Sequence, residues 1–269
     1  MTPAAFTTGA DGRAVLDLRT AAAARRPDLH DLPELTDAER AMAARTWRAR
    51  MVNEHISAQF FASLLPQLMR AAAPPAVLAA IPQMVADELR HAEQCAGVVL
   101  ALGHEPIAPL PAIEALPQHE DADAVEAVLR NMISVCCLSE TVAVGVIRAE
   151  HAELEGTALG KVLSTILADE IQHARFGWSL LAEFAPRLPD DVRARLSEYL
   201  VDALRHVVAY EVPKLPVHLG LSKAVGQAGV CDGALARDIF YATIETVILP
   251  RLEDAGLSAQ SAWLRARAA

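Results

Sequence analysis

Aromatic residues are scarce, at 4% of the 269 positions. β-branched residues cluster only in a few short runs. Sheet-built folds rely on those residue types for cross-strand packing, so their shortage argues against a sandwich or barrel. Basic charge is also short: 24 Lys and Arg face 34 Asp and Glu, a net charge of −10. Such a surface repels phosphate backbones and anionic lipid, so neither a nucleic acid nor a membrane is expected as a partner. The four cysteines, Cys95, Cys136, Cys137 and Cys231, show no zinc-finger spacing, and the adjacent pair cannot form an ordinary bridge. A reduced, cytoplasmic protein is expected. No basic start followed by an apolar stretch opens the chain, so a secretory leader is not expected. The longest apolar run, Met132 to Ile147, carries Glu140 near its middle and falls short of a membrane span. No flavin or nicotinamide fingerprint is visible.

What is abundant is Ala and Leu, with 53% of residues hydrophobic. That composition favours helices, and the length suffices for one substantial core. Residues 1–35 lack helical periodicity and read as an N-terminal arm. Thr36-Asp37-Ala38-Glu39 has the form of a capping box and opens a helix expected to reach about residue 72, kinked near Pro66. A second helix is expected over about 76–102, ended by Gly103, with Pro82 as a kink or as its true start. The proline-bearing stretch 104–121 reads as a long connection. Helices are expected over about 122–153 and, after a short turn, up to Phe184. Further helices are expected over about 190–211 and about 233–267, the last interrupted near Pro250 and Gly256. Hairpin, long crossover, hairpin is the connectivity of a ferritin-like four-helix bundle. The expected organisation is therefore an all-α domain over 36–269. Its core bundle covers about 36–185 and accessory C-terminal helices cover about 190–268.

Two motifs repeat across this plan. The second helix carries Asp87-Glu88-Leu89-Arg90-His91, and the fourth carries Asp169-Glu170-Ile171-Gln172-His173. In each, Glu and His three residues apart share a helix face. Chance supplies fewer than one E-x-x-H match in such a chain, and here two matched copies fall one per hairpin. The first and third helices each offer a glutamate in apolar surroundings, Glu54 and Glu140. Glu88 follows Glu54 by 34 residues and Glu170 follows Glu140 by 30, so the donors fall at similar heights. Four carboxylates turned into one core would repel each other and lose hydration. Two divalent ions offset that charge. Oxygen donors with two imidazoles suit iron or manganese.

The order E…D-E-x-R-H…E…D-E-x-x-H resembles the ferritin-like non-haem di-iron carboxylate oxygenases, over roughly residues 40–185, nearest to the N-oxygenase and hydroxylase types. The resemblance implies Glu54, Glu88, His91, Glu140, Glu170 and His173 as metal ligands and catalytic centre. It also implies two Fe as cofactor, with Mn or a mixed Fe/Mn pair as alternatives. Asp87 is implied to hold His173, and Asp169 to hold His91. Four positions depart from the group. Glu54 and Cys95 stand where the reductase subunit has Asp and a radical Tyr. Val144 replaces a hydroxylase Thr, and Ile166 replaces an N-oxygenase His.

The reaction expected is O2-dependent oxidation of a small, mainly apolar organic substrate by hydroxylation, N-oxygenation, desaturation or C–C cleavage. Electrons would come from an external reductase or ferredoxin, and a homodimer is left open. The alternative is a ferroxidase or iron-handling protein. Phe61, Ile133, Cys137, Val144, Ile147 and Ile166 are expected near the cluster. His206 is a further candidate ligand, though a surface position suits it better.

Overall fold

The computed structural model describes Thr8, residues 12–112, 115–215, Val217 and residues 220–268. It is all-α apart from one two-stranded ribbon, and the bundle is ferritin-like. Strand β1 (Val15–Asp17) is followed by α1 (Arg19–Arg25), α2 (Asp37–Arg70) and α3 (Pro75–Ala101). Strand β2 (Ile107–Pro109) lies in the crossover and pairs antiparallel with β1, Leu16 opposite Ala108. The second hairpin consists of α4 (Ala124–Met132), a π-helical segment (Ile133–Ser139), α5 (Glu140–Glu153) and α6 (Ala158–Phe184). Helix α7 (Asp190–Glu211) and the short helices α8 (Lys223–Gln227), α9 (Gly233–Thr243), α10 (Leu249–Asp254) and α11 (Ala259–Arg267) complete the chain.

The capping box forms as expected: Glu39 N–H donates to Thr36 Oγ1, and Glu39 Oε2 accepts from the Thr36 N–H at 2.8 Å. Helix assignment continues through both Pro66 and Pro82, so neither proline ends its helix. The β1–β2 ribbon, α1, α8 and the π-helical turns lie outside the expected plan. Helix α1 is too short to show a period, yet Ala22 is fully buried. A Cβ at Gly97 of α3 would stand 2.4 Å from the Arg25 carbonyl oxygen, so the close seating of α1 on α3 depends on that glycine. The π-helical segment was read as ordinary helix, because one extra residue per turn leaves no mark on an apolar stretch. A second π turn (Ile244–Ile248) precedes Pro250, whose missing N–H removes one regular helical bond there.

The stretch Ala124–Glu153 is a continuous 30-residue helical run, long and apolar enough by composition to cross a membrane. Here it is the bundle's inner helix. It buries Glu126, Arg130 and Glu140, and each has polar partners inside the protein. Three apolar clusters surround the bundle. One joins it to α7 and the C-terminal helices through Leu196, Phe240 and Ile248. One lies around Trp47, Met51 and Ile166. The third lies around Phe61, Leu64 and Met132.

Candidate metal centre

Each of the four bundle helices contributes to one buried polar cluster. Glu54 comes from α2, Glu88 and His91 from α3, Glu140 from the first residue of α5, and Glu170 and His173 from α6. None of the six is more than 6% exposed, in the otherwise apolar middle of the bundle. Two overlapping quartets result. Ligand atoms of Glu54, Glu88, His91 and Glu170 lie within 4.8 Å of one another, as do those of Glu88, Glu140, Glu170 and His173. Glu88 and Glu170 belong to both quartets, which is the arrangement two bridging carboxylates would have. Glu140 follows directly on the π-helical turn, which resets the helical phase just before it.

The imidazoles are held from behind. His91 Nε2 donates to Asp169 Oδ2 at 3.0 Å, and His173 Nε2 faces Asp87 Oδ2 at 3.4 Å. A carboxylate only accepts, so these contacts place the proton on Nε2 and turn Nδ1 toward the cluster. Each histidine thus leans on the aspartate of the opposite motif. His91 Nδ1 lies 3.3 Å from Glu170 Oε1, and His173 Nδ1 lies 3.0 Å from Glu88 Oε1. Phe61 packs edge-on against the His173 ring, with centroids 5.1 Å apart.

The charges show what the cluster is suited to hold. Burial pushes the carboxyls of Glu88 and Glu140 well above the usual range, and the neighbouring Glu170 adds to the shift. Burial acts the same way on Glu170, but hydrogen bonds from Glu140, His173 and His91 outweigh it and hold that carboxyl low. Burial opposes protonation of His91, yet the carboxylates of Glu170 and Glu54 facing it push its pKa up to about 11. His173 is raised in the same manner, against burial, chiefly by Glu170. Without metal, the cluster thus balances its charge with protons. Even so, both carboxylate oxygens of Glu88 and His91 Nδ1 are buried with no hydrogen-bond partner among the described residues. These orphaned atoms, in a centre lined by four carboxylates and two imidazoles, fit a pair of divalent cations.

Arg90 falls between two motif residues, a position that suits a solvated face equally well. In the fold it joins the two motifs. Its Nη1 lies 2.8 Å from Asp87 Oδ1 and its Nη2 2.7 Å from Asp169 Oδ2. Gln83, one turn earlier, donates to Asp87 Oδ1 at 2.8 Å. Behind Glu140, Trp178 Nε1 donates to Thr141 Oγ1 at 2.9 Å. The i to i+4 spacing of Gln83 and Asp87 was the one signal that could have revealed this layer. Asp169→Asn should weaken binding of Mn(II) or Fe(II) by about 10–100-fold, because an amide can present its N–H to the imidazole and upset the tautomer. Competition against a chromophoric chelator measures it, and unchanged affinity would remove Asp169 from this role.

His206 is exposed on α7 and stacks on Tyr210, with centroids 5.9 Å apart, outside both quartets. Five of the six apolar neighbours are shared among the three apolar clusters, and Val144 is half-buried on α5. Ile133 and Cys137 belong to the cluster facing the C-terminal helices, Ile147 and Ile166 to the cluster around Trp47, and Phe61 to the third. Two surface clefts, of about 390 and 590 Å3, are lined by none of the six cluster residues. Cys95, one turn after His91, is fully buried; burial, then the nearby Glu54, pushes its thiol well up, so it stays protonated.

No family model matches the chain, and no curated protein does. Among solved structures, it is similar to a Synechococcus protein described as having aldehyde deformylating oxidase activity. The two share 20% identity, with a TM-score of 0.59, over 87% of this chain and 98% of that one. At that identity the likeness establishes the ferritin-like fold.

Proposed function

We propose that the protein is a non-haem di-iron oxygenase or oxidase acting on a small, mainly apolar organic substrate. The observation that carries this reading is the pair of buried donor quartets sharing Glu88 and Glu170. The alternative, a ferroxidase or iron-handling protein, would use the same donors, and turnover of an organic substrate by the iron-loaded protein separates the two.

Glu54, Glu88 and His91, with Glu170, would hold one ion; Glu140, Glu170 and His173, with Glu88, would hold the other. The chemistry supplied by two bound irons is activation of dioxygen, with electrons drawn from an external reductase or ferredoxin. The chain's own work is to position and to exclude. Asp169 and Asp87 keep the protons on the outer imidazole nitrogens, leaving Nδ1 free to bind. Arg90 holds both aspartates in place through its two Nη atoms. Phe61 and the buried thiol of Cys95 keep water from the inner faces of the ligands. Residues 36–185 would carry this chemistry, with the helices of 190–268 bracing it from outside.

Hydroxylation, N-oxygenation, desaturation and C–C cleavage share these requirements. The activity printed for the structural neighbour makes aldehydes the first substrates to assay, followed by aryl amines. Anaerobic Fe(II) loading should give about two irons per chain, with a Mössbauer signature of coupled iron after oxygen exposure. A stoichiometry near zero, or loaded protein inert to oxygen, would refute the reading. Loading with Mn(II) and with both metals together tests the alternative metal pairs.

A further inference from the structure

One turn before Glu54, Arg50 points into the bundle. Its guanidinium lies over the Trp47 ring, 4.9 Å from the centroid, and its Nη2 donates to Glu150 of α5. Both side chains are nearly buried, at 15% and 10% exposure. Arg50 Nη1 is buried and has no acceptor among the described residues. Buried donors on Gln67 and Arg130 also lack partners, but they sit at the crossover end of the bundle, around Asn131 and Asp121. Arg50 is within electrostatic reach of both Glu54 and Cys95, one on each side of the first hairpin. The apolar chains in this layer are Trp47, Met51, Ile147, Leu163 and Ile166. Beside the candidate metal centre, these apolar chains thus accompany a nearly buried ion pair with one unused N–H donor. A buried guanidinium donor left unsatisfied is costly, and the fold retains it.

Charge decides which acceptor suits it. Arg50 is already neutralised by Glu150. Two divalent ions would likewise neutralise the four carboxylates of the cluster. A carboxylate brought to Nη1 would bury a net negative charge with nothing to offset it. A carbonyl oxygen brings the lone pairs without the charge, and a hydrogen bond to an ionised donor is among the stronger ones. We propose that Arg50 is a binding residue whose Nη1 donates to a neutral carbonyl-type oxygen of an otherwise apolar ligand. Its place beside the cluster makes that ligand the substrate, and this step alone rests on the oxygenase reading.

The test uses metal-free, full-length protein, so that its outcome is separate from iron loading and oxygen reactivity. The probes are 2-nonanone and nonanoate, followed by calorimetry and by the infrared carbonyl stretch of the bound ketone. Wild type should bind the ketone at least ten-fold more tightly than the acid, with the stretch shifted to lower wavenumber. Glu150→Gln leaves the guanidinium uncompensated and should raise nonanoate affinity about ten-fold while keeping the ketone shift. The double variant Arg50→Met/Glu150→Gln removes the pair as a unit. It should lose the shift and weaken ketone binding about ten-fold, with its helical circular dichroism intact. Failure of wild type to bind the ketone, tighter binding of nonanoate by wild type, a shift that survives in the double variant, or a Glu150→Gln variant whose nonanoate affinity does not rise would each overturn the assignment.

Discussion

Glu170→Ala is expected to abolish binding of both metal ions, whereas Glu140→Ala and Glu54→Ala should each spare one. The difference follows from membership. Glu170 supplies a ligand atom to both quartets, while Glu140 belongs only to the second and Glu54 only to the first. Removing Glu170 also deprives both cluster-facing imidazole nitrogens of a carboxylate, at 3.3 Å from His91 Nδ1 and 3.2 Å from His173 Nδ1. Metal analysis after dialysis should show about two ions per chain for wild type, as the di-iron ligand pattern requires. The single-quartet variants should retain roughly half of that, and Glu170→Ala essentially none. Oxygen uptake in the presence of a chemical reductant should fall with it by at least ~100-fold, the scale at which a lost ligand exceeds the effect of a lost supporting contact. Two retained ions in Glu170→Ala would refute the shared role.

The largest effect on stability is expected at Glu126, far from the metal cluster. This carboxylate is fully buried on α4 and holds two arginines at once. Arg130 Nη2 donates to its Oε1 at 2.5 Å, and Arg195 of α7 donates to its Oε2 from Nε at 2.9 Å. The contact ties the inner helix to the accessory layer. Glu126→Ala leaves the exposed Asp121 as the remaining ion-pair partner described for the buried Arg130, beside the Tyr199 ring. Breaking a buried pair by removing one member costs about 3–5 kcal/mol. Arg195 can turn to solvent and to Asp191, so about 3 kcal/mol is expected. For a chain of this size that corresponds to a melting temperature lower by on the order of 10 °C. Asp191→Ala, which removes an exposed contact to the same Arg195, should shift stability by no more than about 0.5 kcal/mol. Equal shifts in the two variants would show that burial of Glu126 contributes nothing special.

The parts of this molecule legible in the sequence were those written in periodicity and in charged residues on apolar stretches. Long amphipathic helices, the capping box at Thr36 and the paired motifs at Asp87 and Asp169 all carry that signature. The crossed aspartate–histidine contacts came from the resemblance, and the geometry agrees. Seven-residue α1 was hidden because so short a segment shows no period and gains its stability by docking against Gly97. The π-helical turn before Glu140 was hidden because its stretch is mostly apolar, so one extra residue shifts no clear polar face. The Arg50–Glu150 pair joins helices 100 residues apart in the chain, so no local pattern marks it. The same holds for Arg90, whose two partners could be named only once both hairpins were in place.

That arginine has a consequence for how the centre fills. A single guanidinium grips the aspartate behind each histidine, so the two imidazoles are not set independently. Whatever steadies one draws on the strut that steadies the other. Occupancy of the first seat should therefore ready the second, and titration with divalent metal should run from empty to full chains with few holding a single ion.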